Sequence, residues 1–441
     1  MNIQLSDHFS YRRLLRFSLP SIVMMIFTSI YGVVDGFFVS NFVGKTPFAA
    51  VNFIMPFLMI LGSVGFMFGA GGGALVAKTL GERDRERANR NFSLLVYVSI
   101  AIGVVIMAAA LICLRSVAEL LGAGEMLEDC VLYGRIILIA LPALVLQYAF
   151  QNFFVTAGKP QLGLGVSLAA GATNIVGDAL FVVVFHWGLA GAAAATALGQ
   201  MVGGLLPLVY FARPNASQLR LTGTKYEGRA ILKACTNGSS ELMSNISISL
   251  VSMLYNIQLM RYAGENGVAA YGVIMYVNMI FLAAFIGYSN GTAPIVSYHY
   301  GAGNHTELKG LLKKSFVIIG VFSIGMFAAA ELLSEPLSRI FVGYDQELLA
   351  LTIRAFTIYS FSFLFAGIAI YGSAFFSALN DGLTSALISF LRALVFQVAA
   401  VLLLPLIWKI DGIWLSIVAA EIVAAAVTLL FLIKKRRIYH Y

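Results

Sequence analysis

Apolar runs of roughly twenty residues or more recur from one end of this chain to the other, and that recurrence limits the fold before any single residue is considered. About 20 consecutive apolar residues cross the hydrocarbon core of a bilayer as an α-helix. Twelve such runs are predicted, near residues 17–43, 48–77, 92–114, 131–156, 162–186, 189–212, 231–260, 268–298, 315–333, 350–378, 383–408 and 412–433. Hydrocarbon offers backbone groups no water, so such runs must satisfy their own N–H and C=O groups as helices. The expected fold is all-α and integral to the membrane, with twelve transmembrane helices set against the lipid bilayer. Composition agrees, since 60% of residues are hydrophobic and 11% charged, with a mean hydropathy of +0.87. A soluble domain would carry about 25% charged residues.

The charges orient the helices. Of 29 Lys and Arg, 21 fall in segments on one side of the predicted spans and seven on the other, while Arg392 lies within a span. That asymmetry places both termini in the cytoplasm of a cell (inner or plasma) membrane protein. The net charge of +8 is therefore a topology signal, and nucleic-acid binding is excluded. The first run lacks a cleavage-like small-residue site, so it reads as a retained helix. Cys113, Cys130 and Cys235 are too few and scattered for a disulfide framework or zinc site. No cofactor is expected.

The longest break between runs, Ala212 to Lys233, separates six helices from six. It defines an N-lobe at 1–212, a cytoplasmic linker at 213–230 and a C-lobe at 231–441. Shifting the sequence by 220 residues aligns Gly44 with Gly264, Gly71 with Gly291, Gly81 with Gly301 and Met55 with Met275, in one ungapped register. With an even number of spans per half, both lobes enter from the same side. The chain thus reads as a parallel repeat about an axis along the membrane normal, an architecture used by transporters that rock one bundle against another.

Few ionisable residues fall inside the spans: Asp35, Asp178, Glu241, Arg392 and Glu421. A carboxylate at that depth costs roughly 2.5–3.5 kcal/mol on insertion scales, so it needs a partner and a task. Asp35 follows Arg16 by 19 residues and Asp178 follows Lys159 by 19, which puts the two at similar depth. Asn174 shares the helical face of Asp178, and Thr196 returns to the same level on the next helix. Two carboxylates, an amide and a hydroxyl suit a hard cation such as Na+. The same pair suits a shared proton equally well. On the seventh run Glu241 and Asn245 lie on one polar face, and Tyr31 sits one turn before Asp35; these three are the substrate-contact candidates. Arg392 and Glu421 are expected to neutralise each other. Under the 220-residue shift Asp35 faces Tyr255, Asn174 faces Leu394 and Asp178 faces Val398, so the acidic cluster belongs to the N-lobe and a largely apolar C-lobe is expected.

The stretches YGVVDGFFVSNFVG around Asp35, LGERDRERANRNF, FVTAGKP and NIVGD on the fifth run together resemble the MATE (multidrug and toxic compound extrusion) family, in its MepA-like bacterial branch. The resemblance covers essentially the whole chain. It implies a monomeric efflux antiporter, driven by H+ or Na+, that exports small organic and often cationic compounds by alternating access. The family's ion site falls by motif on Asp35, Asn174, Asp178 and Thr196, joined by Tyr133. Glu241 matches an acidic residue of the family's seventh helix, and a C-lobe aspartate found in some members has no counterpart in 352–377. A lipid-linked saccharide flippase of related fold would want a basic cavity, for which Arg392, Arg261 and Arg354 are the only candidates. An intramembrane metal-dependent transferase would want clustered loop carboxylates, where Asp381 stands alone.

Overall fold

The computed structural model describes residues 4–43, 45–121, 123, 126–343 and 345–441. Among them there is no strand. Ten helices are long and apolar enough to cross a membrane, and two bent helix pairs make up the other two spans. Helix 1 is Tyr11–Phe38, continued by a π-helical turn at Val39–Val43. Helix 2 comprises Lys45–Gly62 and Val64–Gly81, and helix 3 is Arg85–Leu121. Helix 4 joins Leu127–Ile139 to Leu141–Thr156 at a 57° bend. Helix 5 is Pro160–Asp178 with a π turn at Ala179–Val184, and helix 6 is Gly188–Ala212. Helices 7 and 8 form the run Gly228–Gly301, broken at Gly264, where φ is 62°. That left-handed backbone is one glycine adopts at little cost.

Helix 9 is His305–Val342. Helix 10 joins Gln346–Ser360 to Phe363–Ala378 at a 48° bend. Helix 11 spans Gly382–Leu403 with a π turn at Leu391–Val395, and helix 12 is Pro405–Tyr439. The twelve spans thus lie where the apolar runs predicted them. Helices 3, 9 and 12 run past their predicted ends because amphipathic turns such as Arg85–Arg90 continue the helix. Prolines open the second half of helix 4 and helix 5 at positions where a missing N–H costs nothing, and the run that carries helix 12 is broken at Lys409, where φ is 51°. The two bends are themselves repeats, since Ala140 at the first maps to Ser360 at the second under the 220-residue shift.

The lobes meet most tightly at the end that carries both termini. A Cβ built on Gly81 would lie 2.1 Å from the Tyr298 carbonyl oxygen, and one on Gly301 would lie 2.1 Å from the Lys78 carbonyl oxygen. These are one contact and its repeat image, because Gly81 maps to Gly301 and Lys78 to Tyr298. The pseudo-two-fold axis therefore passes between helices 2 and 8 here. Deeper in, a Cβ on Gly71 would lie 2.0 Å from the Ala234 carbonyl oxygen. Such backbone-to-backbone contact draws on dispersion and suits helices in lipid, which have no hydrophobic drive to associate. Asn380 adds polar ties: its Nδ2 donates to the Ala74 carbonyl oxygen at 3.4 Å and its Oδ1 accepts from Asn237 Nδ2 at 2.7 Å.

Two chain segments reinforce this end. Leu5 and Phe9, ahead of helix 1, are fully buried in a C-lobe core with Tyr288, Leu308 and Leu311. The Phe9 N–H donates to Glu307 Oε1 at 2.9 Å, and the Phe9 carbonyl accepts from Lys314 Nζ. The stretch from Arg213 to Glu227, between helices 6 and 7, lies against helix 3. There Arg85 Nε donates to the Gln218 carbonyl at 3.1 Å, Arg220 N–H to Asn89 Oδ1 at 3.0 Å and Thr222 N–H to Ser93 Oγ at 2.8 Å.

A side chain at position 71 would have to displace helix 7. Gly71→Val is expected to raise the alkylation rate of half-buried Cys235 by N-ethylmaleimide several-fold, mapped by mass spectrometry. An unchanged rate would show that this contact does not hold the lobes together.

Candidate functional site

Helix 1 presents Asp35 one turn before its α-helical hydrogen bonding gives way at Val39, and Asp178 is the last residue before the π turn of helix 5. A π turn inserts an extra residue, bulges the helix and is common at functional positions. Both carboxyl groups are buried. Thr196 Oγ1 of helix 6 donates to Asp35 Oδ1 at 3.2 Å, and Asn174 Nδ2 reaches the same oxygen at 3.5 Å and Thr196 Oγ1 at 3.3 Å. Asp178 lies near enough to Asp35 for the two carboxyl groups to interact electrostatically. Both Asp178 oxygens and Asn174 Oδ1 are buried without a donor among the described residues. Two ionised carboxylates buried near each other repel, so this arrangement has a strong affinity for a positive charge between them. The four residues placed at one depth by sequence are thus brought together.

The other sequence candidates lie around this centre. Tyr133 is fully buried in the core shared by Val39, Val182 and Leu189, beside the two π turns. The Tyr31 side chain lies outside the described residues. Glu241 lines a small space between the lobes with Asn152, Thr156 and Asn290. Asn245 turns its Nδ2 onto the Glu241 backbone carbonyl at 2.8 Å. It shares Glu241's face but spends its donor within its own helix.

The C-lobe counterpart of the acidic cluster is not apolar, contrary to expectation. Tyr255, at the repeat position of Asp35, donates its hydroxyl hydrogen to Gln397 Oε1 at 3.0 Å, one residue from the repeat position of Asp178. A helix 7 to helix 11 bridge thus stands where the N-lobe has its helix 1 to helix 5 bridge. Beside it lies a cavity with about 120 Å³ of solvent-accessible space. It is lined by Tyr255, Tyr271, Tyr359, Arg392, Gln397 and Glu421. Arg392 and Glu421 neutralise each other as expected, through Nε to Oε2 and Nη2 to Oε1, both at 2.9 Å. Tyr271, Tyr359 and Gln397 escaped the sequence reading, although Tyr255 facing Asp35 across the repeat was the clue. Of the arginines a flippase reading needs, Arg261 is exposed beside Tyr262 and Arg354 is paired with Asp411, which leaves Arg392 alone in the cavity.

A sequence model of the MatE family matches two segments of nearly equal length, residues 20–180 and 242–403. The chain belongs to the MATE family. One MatE match falls in each of the two halves that the glycine contacts relate. Among curated relatives, the multidrug export protein MepA of Staphylococcus aureus strain MRSA252 is 22% identical over 429 residues, covering 97% of this chain and 94% of its own. MepA of Staphylococcus haemolyticus strain JCSC1435 is 22% identical over 417 residues, covering 94% and 91%.

Solved structures share the fold. A MATE protein crystallised in a straight conformation matches with a TM-score of 0.93 at 22% identity over 98% of both chains. An outward-facing multidrug resistance MATE transporter of the MOP superfamily matches with 0.93 at 23% identity, over 100% of this chain and 98% of its own. A MOP superfamily transporter from Pyrococcus furiosus, described as having a binding pocket of reverse polarity that suggests a different function, matches with 0.92 at 23% identity over 98% of both. The two-lobe MATE fold is therefore that of this chain, whose own polarity difference lies between its lobes.

The Arg392–Glu421 pair makes a stability prediction. Removing one member of a buried pair leaves an uncompensated charge and costs roughly 3–5 kcal/mol, whereas apolar replacement of both is often neutral. Glu421→Leu should therefore lower the melting temperature in detergent more than Arg392→Met/Glu421→Leu does. Equal losses would show that the pair contributes no compensation.

Proposed function

We propose that this MATE protein exports small organic, largely cationic compounds across the cell membrane in exchange for protons. One chain is the working unit, and its lobes at 1–212 and 231–441, joined by the cytoplasmic linker 213–230, alternate access. The observation that carries this reading is the burial of the Asp35 and Asp178 carboxyl groups in one cluster with Asn174 and Thr196, near enough to each other that a positive charge between them is favoured. A shared proton supplies it without any further ligand. The naming of the staphylococcal relatives as multidrug export proteins supports the substrate class.

The mechanism follows from charge. With one carboxyl protonated, the cluster carries less negative charge, holds a cationic substrate weakly and accommodates the packed helix 1 seen here. Loss of the proton restores the anionic site and its pull on the next cation. Coupling requires only that proton and substrate prefer different states of the site. The basic residues that set topology lie at the end closed by Gly81 and Gly301. With that end in the cytoplasm, both termini are cytoplasmic and the state described here faces outward. Glu241, between the lobes, would meet the cation on the inward-facing route.

A second reading has sodium in place of the proton. It is favoured by the buried, undonated oxygens of Asn174 and Asp178, which with Asp35 and Thr196 form an all-oxygen donor set.

Vesicles loaded with a cationic dye test both. Dye movement should follow an imposed pH gradient and fall to background in Asp178→Asn. Movement driven by sodium alone would select the second reading, and movement indifferent to either gradient would rule out antiport.

A further inference from the structure

We propose that the N-lobe carries its own proton-exit route, a column of buried amide side chains and water that leads inward from the Asp35–Asp178 cluster, apart from the passage between the lobes. The inference rests on the proton reading above and deepens it by naming the residues that lead the proton away.

Helix 6 supplies the first observation. Thr196, Gly199, Gln200, Gly203 and Pro207 follow i, i+3, i+4, i+7, i+11 spacing and share one stripe. Thr196 donates to Asp35 Oδ1. One turn on, a Cβ built on Gly199 would lie 3.1 Å from Asn174 Cβ. A further turn on, a Cβ on Gly203 would lie 2.5 Å from Gln147 Cδ. The stripe thus descends from the cluster to the Gln147 amide, a drop of about 10 Å at roughly 1.5 Å per residue.

The amides along it are open. Gln147 and Gln151 are 7% exposed and Gln200 is 8% exposed. Among the described residues, Gln147 Oε1 and Gln200 Oε1 meet no donor, and Gln151 Nε2 meets no acceptor. Amides that served only to tie helices together would bond one another. Two acceptors and a donor left open along one column suit water, which both gives and takes hydrogen bonds. Gln147 and Gln151 line a small cavity with Phe150, Phe154, Ser167 and Gly203. Its solvent-accessible space of about 10 Å³ is on the order of one water molecule.

The second lobe has no such column. Under the 220-residue shift Gln147, Gln151 and Gln200 face Gly367, Tyr371 and Ala420. The amides occur in the lobe that holds the acidic cluster, as a route serving that cluster requires. Its inner end is shut by rings: Phe150 stacks on Phe211 with centroids 5.6 Å apart, and Phe154 packs on Phe211 at 5.2 Å. In the state described here the column ends blind at these rings, so a proton held at the cluster does not leak inward. In the step itself a carboxyl O–H of the cluster breaks as a water takes its proton. That water passes one of its own protons onward, and the carboxylate is left anionic. The amides orient the water and do not titrate.

Radiolytic hydroxyl labelling of the full-length protein in lipid nanodiscs, read by mass spectrometry, marks side chains beside bound water and needs no gradient. Phe150 and Phe154, though buried, should be oxidised in wild type, and Gln147→Leu/Gln151→Leu should lower that label several-fold. In vesicles loaded with a cationic dye, the double variant should lose about tenfold in pH-driven rate while its dye affinity in nanodiscs holds, a split that misfolding does not produce. Gln151→Asn, which keeps an amide, should retain most of the rate. An unlabelled wild type, or a double variant with the wild-type rate, would overturn the proposal. Wild-type transport indifferent to pH would overturn the proton reading and the route with it, and the gradient-free label tells the two failures apart.

Discussion

Inside a bilayer no water is available to solvate a charge or a lone hydrogen-bonding group, and every buried polar contact in this protein answers to that constraint. The carboxyl groups of Asp35 and Asp178 are buried in one cluster, with Thr196 and Asn174 turned toward Asp35. Arg392 and Glu421 close on each other in a fork, and Tyr255 closes on Gln397. Each contact bridges different helices of one lobe, so solving the solvation problem also fixes how those helices pack. The acidic site differs from these others in one respect: when both its carboxyl groups are ionised they carry like charge and repel, whereas the other contacts join opposite charges or neutral groups.

The two lobes show how one architecture has been given two chemistries. The backbone repeat is close enough that the Gly81 and Gly301 contacts are images of each other and the bends of helices 4 and 10 coincide. At the repeat position of the ion cluster the side chains diverge completely, from two carboxylates to a tyrosine, a glutamine and a neutral ion pair. A duplicated cation site would bind two ions and gain no asymmetry. One lobe thus holds two acidic groups at this position and the other a set with no net charge.

The spans, the repeat and the grouping of Asp35, Asn174, Asp178 and Thr196 were legible in the sequence because they depend on local and countable properties. Apolar run length gave the helices, a fixed shift gave the duplication, and equal spacing from Arg16 and Lys159 gave the shared depth of the carboxylates. The C-lobe cavity was not legible. Tyrosine and glutamine are ordinary helix-bridging residues, and a register comparison matches one position to one position, whereas the cavity draws on helices 7, 8, 10, 11 and 12 at once. Asn245 shows a second limit: periodicity put it on the polar face, but a rotamer choice turned it back onto its own helix. Cys113 lies on the exposed flank of helix 3, where an apolar environment outside the protein does the same work as a core.

The stretch after helix 6 has a mechanical consequence. As far as Thr224, whose Oγ1 donates to the Arg90 carbonyl at 3.1 Å, it is fastened along helix 3 and moves with the first lobe. Helix 7 begins at Gly228. The link between the lobes is therefore Lys225, Tyr226 and Glu227, and the four Cα steps from Thr224 to Gly228, at about 3.5 Å each, make roughly 14 Å of fully extended chain. While the stretch stays docked, any separation of helix 3 from the start of helix 7 is bounded by that contour length, so Lys225, Tyr226 and Glu227 cap how far the two can part at that end.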